Sequence, residues 1–208
     1  MKKHIFLLLC AILLTSCSKE RNFHLRARNG VTGAPYAGLN YYVVEEREGN
    51  NGTDYTTVAT GTLDGNGEKM VPVKVRKNRS YVIRLDPPPN WCYMNEVSYS
   101  YTIQGDQNPT FDFTFAECAY LKLSVNNVNC QGSSDRILFD MQPTYIPNYN
   151  NIIPTEKFGC YSNTFVESQV PYGSWEATWE VTKNGITTQY DSTFFIHVNE
   201  HYNFVINY

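Results

Sequence analysis

Trp175-Glu176-Ala177-Thr178-Trp179-Glu180-Val181-Thr182-Lys183-Asn184-Gly185-Ile186-Thr187-Thr188-Gln189-Tyr190-Asp191-Ser192-Thr193-Phe194-Phe195 reads as two strands closed by a tight turn. Aromatic and β-branched residues crowd both sides of Asn184-Gly185, and Asn and Gly both tolerate the positive φ of a type I′ hairpin turn. The same grammar recurs along the chain. Strands are expected at 23–28, 39–47, 55–61, 69–75, 80–85, 97–103 and 110–115, then at 119–125, 135–142, 161–170, 174–182, 186–197 and 202–208. Asn29-Gly30, Asn51-Gly52, Asp64-Gly65-Asn66-Gly67, Lys77-Asn78 and Asp86-Pro87-Pro88-Pro89-Asn90 supply the turns between them. No segment sustains a helical period, and the 16 Tyr and 11 Phe of the 208 residues favour a pleated, half-buried surface. The expected fold class is all-β.

The chain also matches itself. At a shift of 93, Tyr101, Ile103, Phe111, Phe113 and Phe115 fall on Phe194, Ile196, Phe204, Ile206 and Tyr208. Near the starts of the two halves, Leu25 to Asn29 aligns with Leu121 to Val125 at a shift of 96. Six or seven short strands in about 95 residues is the density of an immunoglobulin-like sandwich, so two tandem β-sandwich domains are expected, at 23–116 and 117–208.

Asn29-Gly30-Val31-Thr32-Gly33-Ala34-Pro35-Tyr36-Ala37-Gly38 precedes the run Leu39 to Val44, and Gly61-Thr62-Leu63-Asp64-Gly65-Asn66-Gly67 precedes an alternating strand and Tyr81-Val82-Ile83. Over roughly residues 23–85 this resembles the prealbumin-like, carboxypeptidase-regulatory-like sandwich domain, in which a Thr-Gly-x-Pro turn joins the first two strands and an Asp-x-x-Gly turn precedes a later one. The resemblance implies an accessory module without catalysis of its own. The second half lacks the Thr-Gly-x-Pro turn, and its loop 143–158 is long.

Met1-Lys2-Lys3, then the apolar run Ile5 to Leu14, then Leu14-Thr15-Ser16-Cys17 form a basic, a hydrophobic and a small-residue region in the order of an export signal. The apolar run is too short for a membrane-spanning helix, which needs about 20 residues. Leu14 to Cys17 resembles the lipobox of bacterial lipoproteins, which implies a signal peptide at 1–16, acylation of Cys17 with palmitate-type chains, and a lipidated tether at 17–22. Two or three acyl chains hold a protein stably on a bilayer where one does not. Ser18 after the lipidated Cys implies sorting to the outer membrane, with the cell surface preferred over the periplasmic face. The formal net charge is −3, and loss of Lys2 and Lys3 makes the mature chain more acidic, so nucleic acid is not an expected partner.

Four cysteines remain after the signal: Cys92, Cys118, Cys130 and Cys160. An even number in an exported chain points to disulfides. Pairing 92 with 118 and 130 with 160 closes two loops of about thirty residues, each worth on the order of 3 kcal/mol of loop-closure entropy. No Cys-x-x-Cys pair suggests a zinc site.

His197-Val198-Asn199-Glu200-His201 matches the His-x-x-Glu-His pattern of inverted zinc proteases. That chemistry needs a helix to bring both imidazoles to one metal, whereas residues four apart on a strand lie about 13 Å apart. Asp64 to Glu68 resembles part of a calcium loop but lacks its twelve-residue spacing, so a hairpin turn is expected there. No metal or cofactor is expected. Lys69, Lys74, Arg76, Lys77, Arg79 and Arg84 form a basic stretch, read as edge protection or as contact with an anionic polysaccharide or lipid surface. Trp91, Tyr93, Tyr145 and Tyr149 lie in loops rich in Pro and Asn, where flat rings could stack on a sugar, anchor a protein partner or simply cover the sandwich ends. The leading expectation is a non-catalytic envelope lipoprotein that engages a protein or a glycan. The alternatives are a metal-dependent hydrolase or protease built on His197 and His201, and a purely structural spacer.

Overall fold

The computed structural model describes residues 18–49, 52–102, 107–146, 149 and 155–208. Every regular element among them is a strand: β1 (Ser18–Asn29), β2 (Asn40–Gly49), β3 (Gly52–Thr62), β4 (Glu68–Arg76), β5 (Ser80–Leu85), β6 (Trp91–Met94), β7 (Tyr99–Thr102), β8 (Thr110–Asn126), β9 (Arg136–Pro143), β10 (Thr155–Phe158), β11 (Ser162–Thr164), β12 (Ser168–Pro171), β13 (Gly173–Lys183), β14 (Ile186–Ile196) and β15 (His201–Asn207). No helix among these residues is long and apolar enough to cross a membrane. The described residues divide into two compact units: those within 18–27, 35–86 and 96–113 form one, and those within 28–34, 87–95 and 114–208 form the other. The sequence placed a single cut between 116 and 117, whereas membership here is interleaved.

In the first unit one sheet runs β3-β2-β5-β7, and the other places β1 between β4 and β8. β4 is antiparallel to β1, from Ser18 opposite Arg76 to Arg26 opposite Glu68. β8 runs parallel to β1, because His24 N–H donates to Pro109 O while two residues further along the Arg26 guanidinium meets Asp112. The sheets pack through alternate residues: Phe23, Leu25 and Ala27 of β1, Val71, Val73 and Val75 of β4, and Tyr81, Ile83 and Leu85 of β5 are buried. Phe23 meets Tyr81, Tyr101 and Phe111 edge-on at 5.0–6.2 Å, the arrangement that ring quadrupoles favour. Each such side chain removed from water stabilises the fold by about 1.5–3 kcal/mol.

The second unit repeats this strand order. One sheet runs β10-β9-β13-β14, and β8 pairs antiparallel with β11 and β12 and parallel with β15. Setting aside β6, which pairs with β8 through Trp91 and Glu117, and counting β11 and β12 as one interrupted strand, both units have their second, third, fifth and sixth strands in one sheet and their fourth, first and seventh in the other. This explains the internal match. Tyr101 and Phe194 stand on the sixth strands, Phe111 and Phe113 correspond to Phe204 and Ile206 as the buried face of the last strand, and Tyr208, matched to Phe115, is buried one residue past the end of β15. Trp175, Phe139, Met141, Ile137, Ile196 and Ile206 form the centre of this second core.

Several expectations need correction. Residues 18–22, read as a tether, belong to β1 and pair with 72–76. Segments 110–115 and 119–125 are one continuous strand, and 161–170 is two short ones. β6 and β10 were not foreseen. The disulfides are Cys92–Cys118, with Cα atoms 4.9 Å apart, and Cys130–Cys160, at 5.2 Å, and all four cysteines fall in the second unit. Cys17 and the rest of 1–17, together with Ile103, lie outside the described residues.

Candidate functional site

The four loop aromatics do not make a common exposed platform. Trp91 is 41% exposed at the start of β6. Tyr93, Tyr145 and Tyr149 are partly buried and packed against the second core. Tyr93 meets Tyr149 at 6.4 Å, and Tyr149 meets the buried Trp175 at 5.7 Å and 88°. Tyr145 donates its hydroxyl to the Tyr172 carbonyl and lies over Gly30 and Gly173. A Cβ on Gly173 would approach the Tyr145 ring to 2.7 Å, and Gly173 has φ +119, so glycine is required there on both counts.

The histidine motif is a polar turn. His197 N–H donates to Glu200 Oε2, Glu200 N–H returns to the His197 carbonyl, and Asn199 takes φ 59. His201 opens β15, where its ring stacks on Tyr120 at 4.3 Å and its Nδ1 lies 3.0 Å from Glu167. No group of three metal-ligating side chains occurs among the described residues. Replacing His197 and His201 together with Ala should leave stability within about 0.5 kcal/mol of the parent and the metal content of the purified protein unchanged. Stoichiometric zinc lost in the double variant would restore the hydrolase reading.

Asp64 is likewise a turn residue, accepting from the Asn66 and Glu68 amides through Oδ1. The basic stretch splits. Lys69 and Lys74 are exposed along β4 beside Pro72, which cannot donate to a further strand, so this edge is guarded against pairing. Arg76 and Arg79 instead turn to Glu45, at 3.8 and 3.3 Å. They line a cleft of about 530 Å³ with Glu45, Arg47, Asp54, Tyr55, Thr56 and Val58. The buried Tyr81 ties two of these residues together, donating to Glu45 and accepting from the Arg76 amide. The sequence shows the charges; the pairing of β1 with β4 that brings them to the end where the chain enters the fold is a long-range property.

A second groove, of about 470 Å³, lies on the β9-β13-β14 sheet, lined by Leu138, Asp140, Thr178, Glu180, Gln189 and Asp191. Arg136 bridges Glu156 and Glu180, and with Gln189 it holds the Glu180 carboxyl below its ordinary value. Asp135 carries the other notable carboxylate. Its side chain is buried, and its Oδ2 accepts from Asn127 Nδ2 at 2.8 Å and from the Gln131 amide at 2.9 Å. These bonds lower its pKa against the opposing effect of burial, with the Lys183 ammonium helping. A depressed folded-state value means that the stabilisation is present in full above the ordinary carboxylate value and is lost as the pH falls from there through the lower folded-state value. Denaturation followed from neutral pH to below about pH 4 should show a decline that Asp135→Asn flattens. An unchanged slope in the variant would refute the assignment.

No protein-family model matches the chain, and no curated protein does. Among solved structures, it is similar to the shaft pilin SpaA of Lactobacillus rhamnosus GG, at 9% identity and TM-score 0.38, covering 91% of this chain and 98% of that one. A streptococcal ancillary pilin is similar at 13% identity and TM-score 0.36, covering 88% and 62%. A minor pilin of Streptococcus agalactiae is similar at 9% identity and TM-score 0.32, covering 90% and 94%. The fold assignment rests on the strand order and packing described above.

Proposed function

We propose that this chain is a lipid-anchored, non-catalytic envelope protein of the bacterial outer membrane, whose two prealbumin-like sandwiches act as a binding or accessory module. The observation that carries the reading is the join between the Leu14-Thr15-Ser16-Cys17 motif and the fold: Ser18, the next residue, already stands opposite Arg76 in β1. Cutting before Cys17 would therefore remove the hydrophobic segment and leave the folded body whole. The turn geometry of His197 to His201 supports the non-catalytic part. Of the two partner classes, protein fits better than glycan, because stacking on sugars needs free ring faces and three of the four loop rings pack on the core.

Cys17→Ala should abolish incorporation of a palmitate analogue in cells, since this thiol is the proposed attachment point, and should leave the chain unprocessed or mislocalised. Label retained in the variant would refute the anchor. For the partner, Trp91→Ala should lose an envelope protein captured by the parent, with a cost of about 2 kcal/mol or more if the ring is an anchor. Binding on a glycan array that depends on Trp91 would reverse the choice.

A further inference from the structure

We infer that the Arg47-Arg76-Arg79 cleft binds the phosphate of anionic phospholipid headgroups, an inference that rests on the lipid anchor proposed at Cys17. Three observations converge on it. The first is position. Cys17 adjoins Ser18, successive Cα atoms lie about 3.8 Å apart, and Ser18 is the register partner of Arg76. Antiparallel partners are about 4.5–5.5 Å apart, so an acylated Cys17 would stand within roughly one Debye length of Arg76, about 8–10 Å at physiological salt. With residues 18–22 paired in β1, almost no chain is left to act as a spacer.

The second observation is the sorting of charge by strand alternation. Arg47 and Glu45 follow Tyr41 and Val43 on the core-facing side of β2, past the last buried residue, whereas Glu46 and Glu48 occupy the alternate positions. On β1, Lys19 follows the core-facing phase of Arg21 and Phe23, and Glu20 takes the other. Arg76 stands on the outward phase of β4, opposite Ser18, and reaches Glu45 through its long side chain, so the cleft holds Arg47, Arg76 and Arg79 against Glu45 and Asp54, with Lys77 next to Arg76 in sequence and Lys19 on the phase of Arg21.

The third is how the acids are occupied. Glu45 is only 13% exposed in its side chain, is shared by Arg76 and Arg79, and also accepts from Tyr81. Arg76 remains 61% exposed. A guanidinium presents several donors in a planar fork suited to phosphate oxygens, so the outward donors of Arg76 and the Arg47 side chain can grip a headgroup while Glu45 keeps the inner geometry.

The test uses the acylated protein purified from the envelope, with its acyl mass measured first, reconstituted into phosphatidylcholine vesicles with or without phosphatidylglycerol. Amide exchange over 74–80 should slow several-fold only in the vesicles containing phosphatidylglycerol, and high salt should reverse it. Lys77→Gln with Arg47→Gln leaves the Glu45 pairs intact and should weaken headgroup binding by about fivefold per basic side chain, the equivalent of ~1 kcal/mol each, and so remove most of the protection. Equal exchange in both vesicles, with the acyl mass present, overturns the cleft while the anchor stands. If no acyl mass is found the anchor fails, and the same chain is floated with phosphatidylglycerol vesicles: salt-sensitive flotation lost in the double variant sustains the cleft, and no flotation overturns it. Protection reproduced by inorganic phosphate without vesicles would make this a free-anion site and overturn the headgroup assignment.

Discussion

Trp175→Ala should destabilise the second unit by about 3–5 kcal/mol, the range for deleting a buried aromatic side chain. Trp175 is fully buried on β13, with Phe194 at 6.5 Å on one side and Tyr149 at 5.7 Å on another. Its indole N–H donates to the Pro171 carbonyl at 3.0 Å, so truncation leaves a cavity and an unpaired acceptor together. The cavity would also release the Tyr93–Tyr149 contact that covers this part of the core. Melting should fall by roughly 10–20 °C, and the amides of Ala177 to Val181 should exchange faster. Trp175→Phe keeps the ring and loses the donor, and should cost less than half as much. Equal effects for the two variants would mean that the hydrogen bond, not the packing, dominates.

What could be read from the sequence was local. Lys183-Asn184-Gly185 became the expected turn, with Asn184 at φ 51 and Gly185 at φ 78, because turn geometry is set by the residues in it. The alternation of Phe111, Phe113 and Phe115 correctly marked a buried face, since side-chain period on a strand depends only on backbone geometry. Pairing was harder to read. β6 exists because Trp91 to Met94 lies against Glu117 to Phe115, a partner more than twenty residues away, and only Cys92 hinted at it. The loop aromatics were ambiguous for a related reason: a Tyr in a Pro- and Asn-rich loop looks the same whether its ring faces water or, like Tyr149, a tryptophan from another strand. Residues 18–22 read as a tether because Ser18-Lys19-Glu20 is polar, yet polar residues pair well enough at the end of a ladder where they face Arg76, Val75 and Lys74.

Removing the Cys130–Cys160 bridge should cost about 3 kcal/mol and lower melting by roughly 10 °C. The bond spans 30 residues, and that segment contains β9, β10 and the loop between them. β10 has four residues and β11 only three, so little ladder holds the segment beyond Cys160 in place. The surrounding hydrogen bonds depend on the same closure. Asn127 donates to both Asp135 and the Gly159 carbonyl, Gly159 N–H returns to the Asp135 carbonyl, and Lys183 reaches Asn127 and the Asn129 carbonyl. Without the bridge, the loops carrying Asn129 and Gly159 must be ordered by these bonds alone, at about 1 kcal/mol net each. Cys130→Ala with Cys160→Ala is the informative variant, and it should also shift the pH-dependent loss of stability assigned to Asp135 toward higher pH, because looser donors depress the carboxyl less. Reduction of the parent protein should produce at least the same loss, since it opens Cys92–Cys118 as well. A double variant that melts with the parent and keeps its acid profile would show that the polar network, rather than the covalent bond, holds these loops.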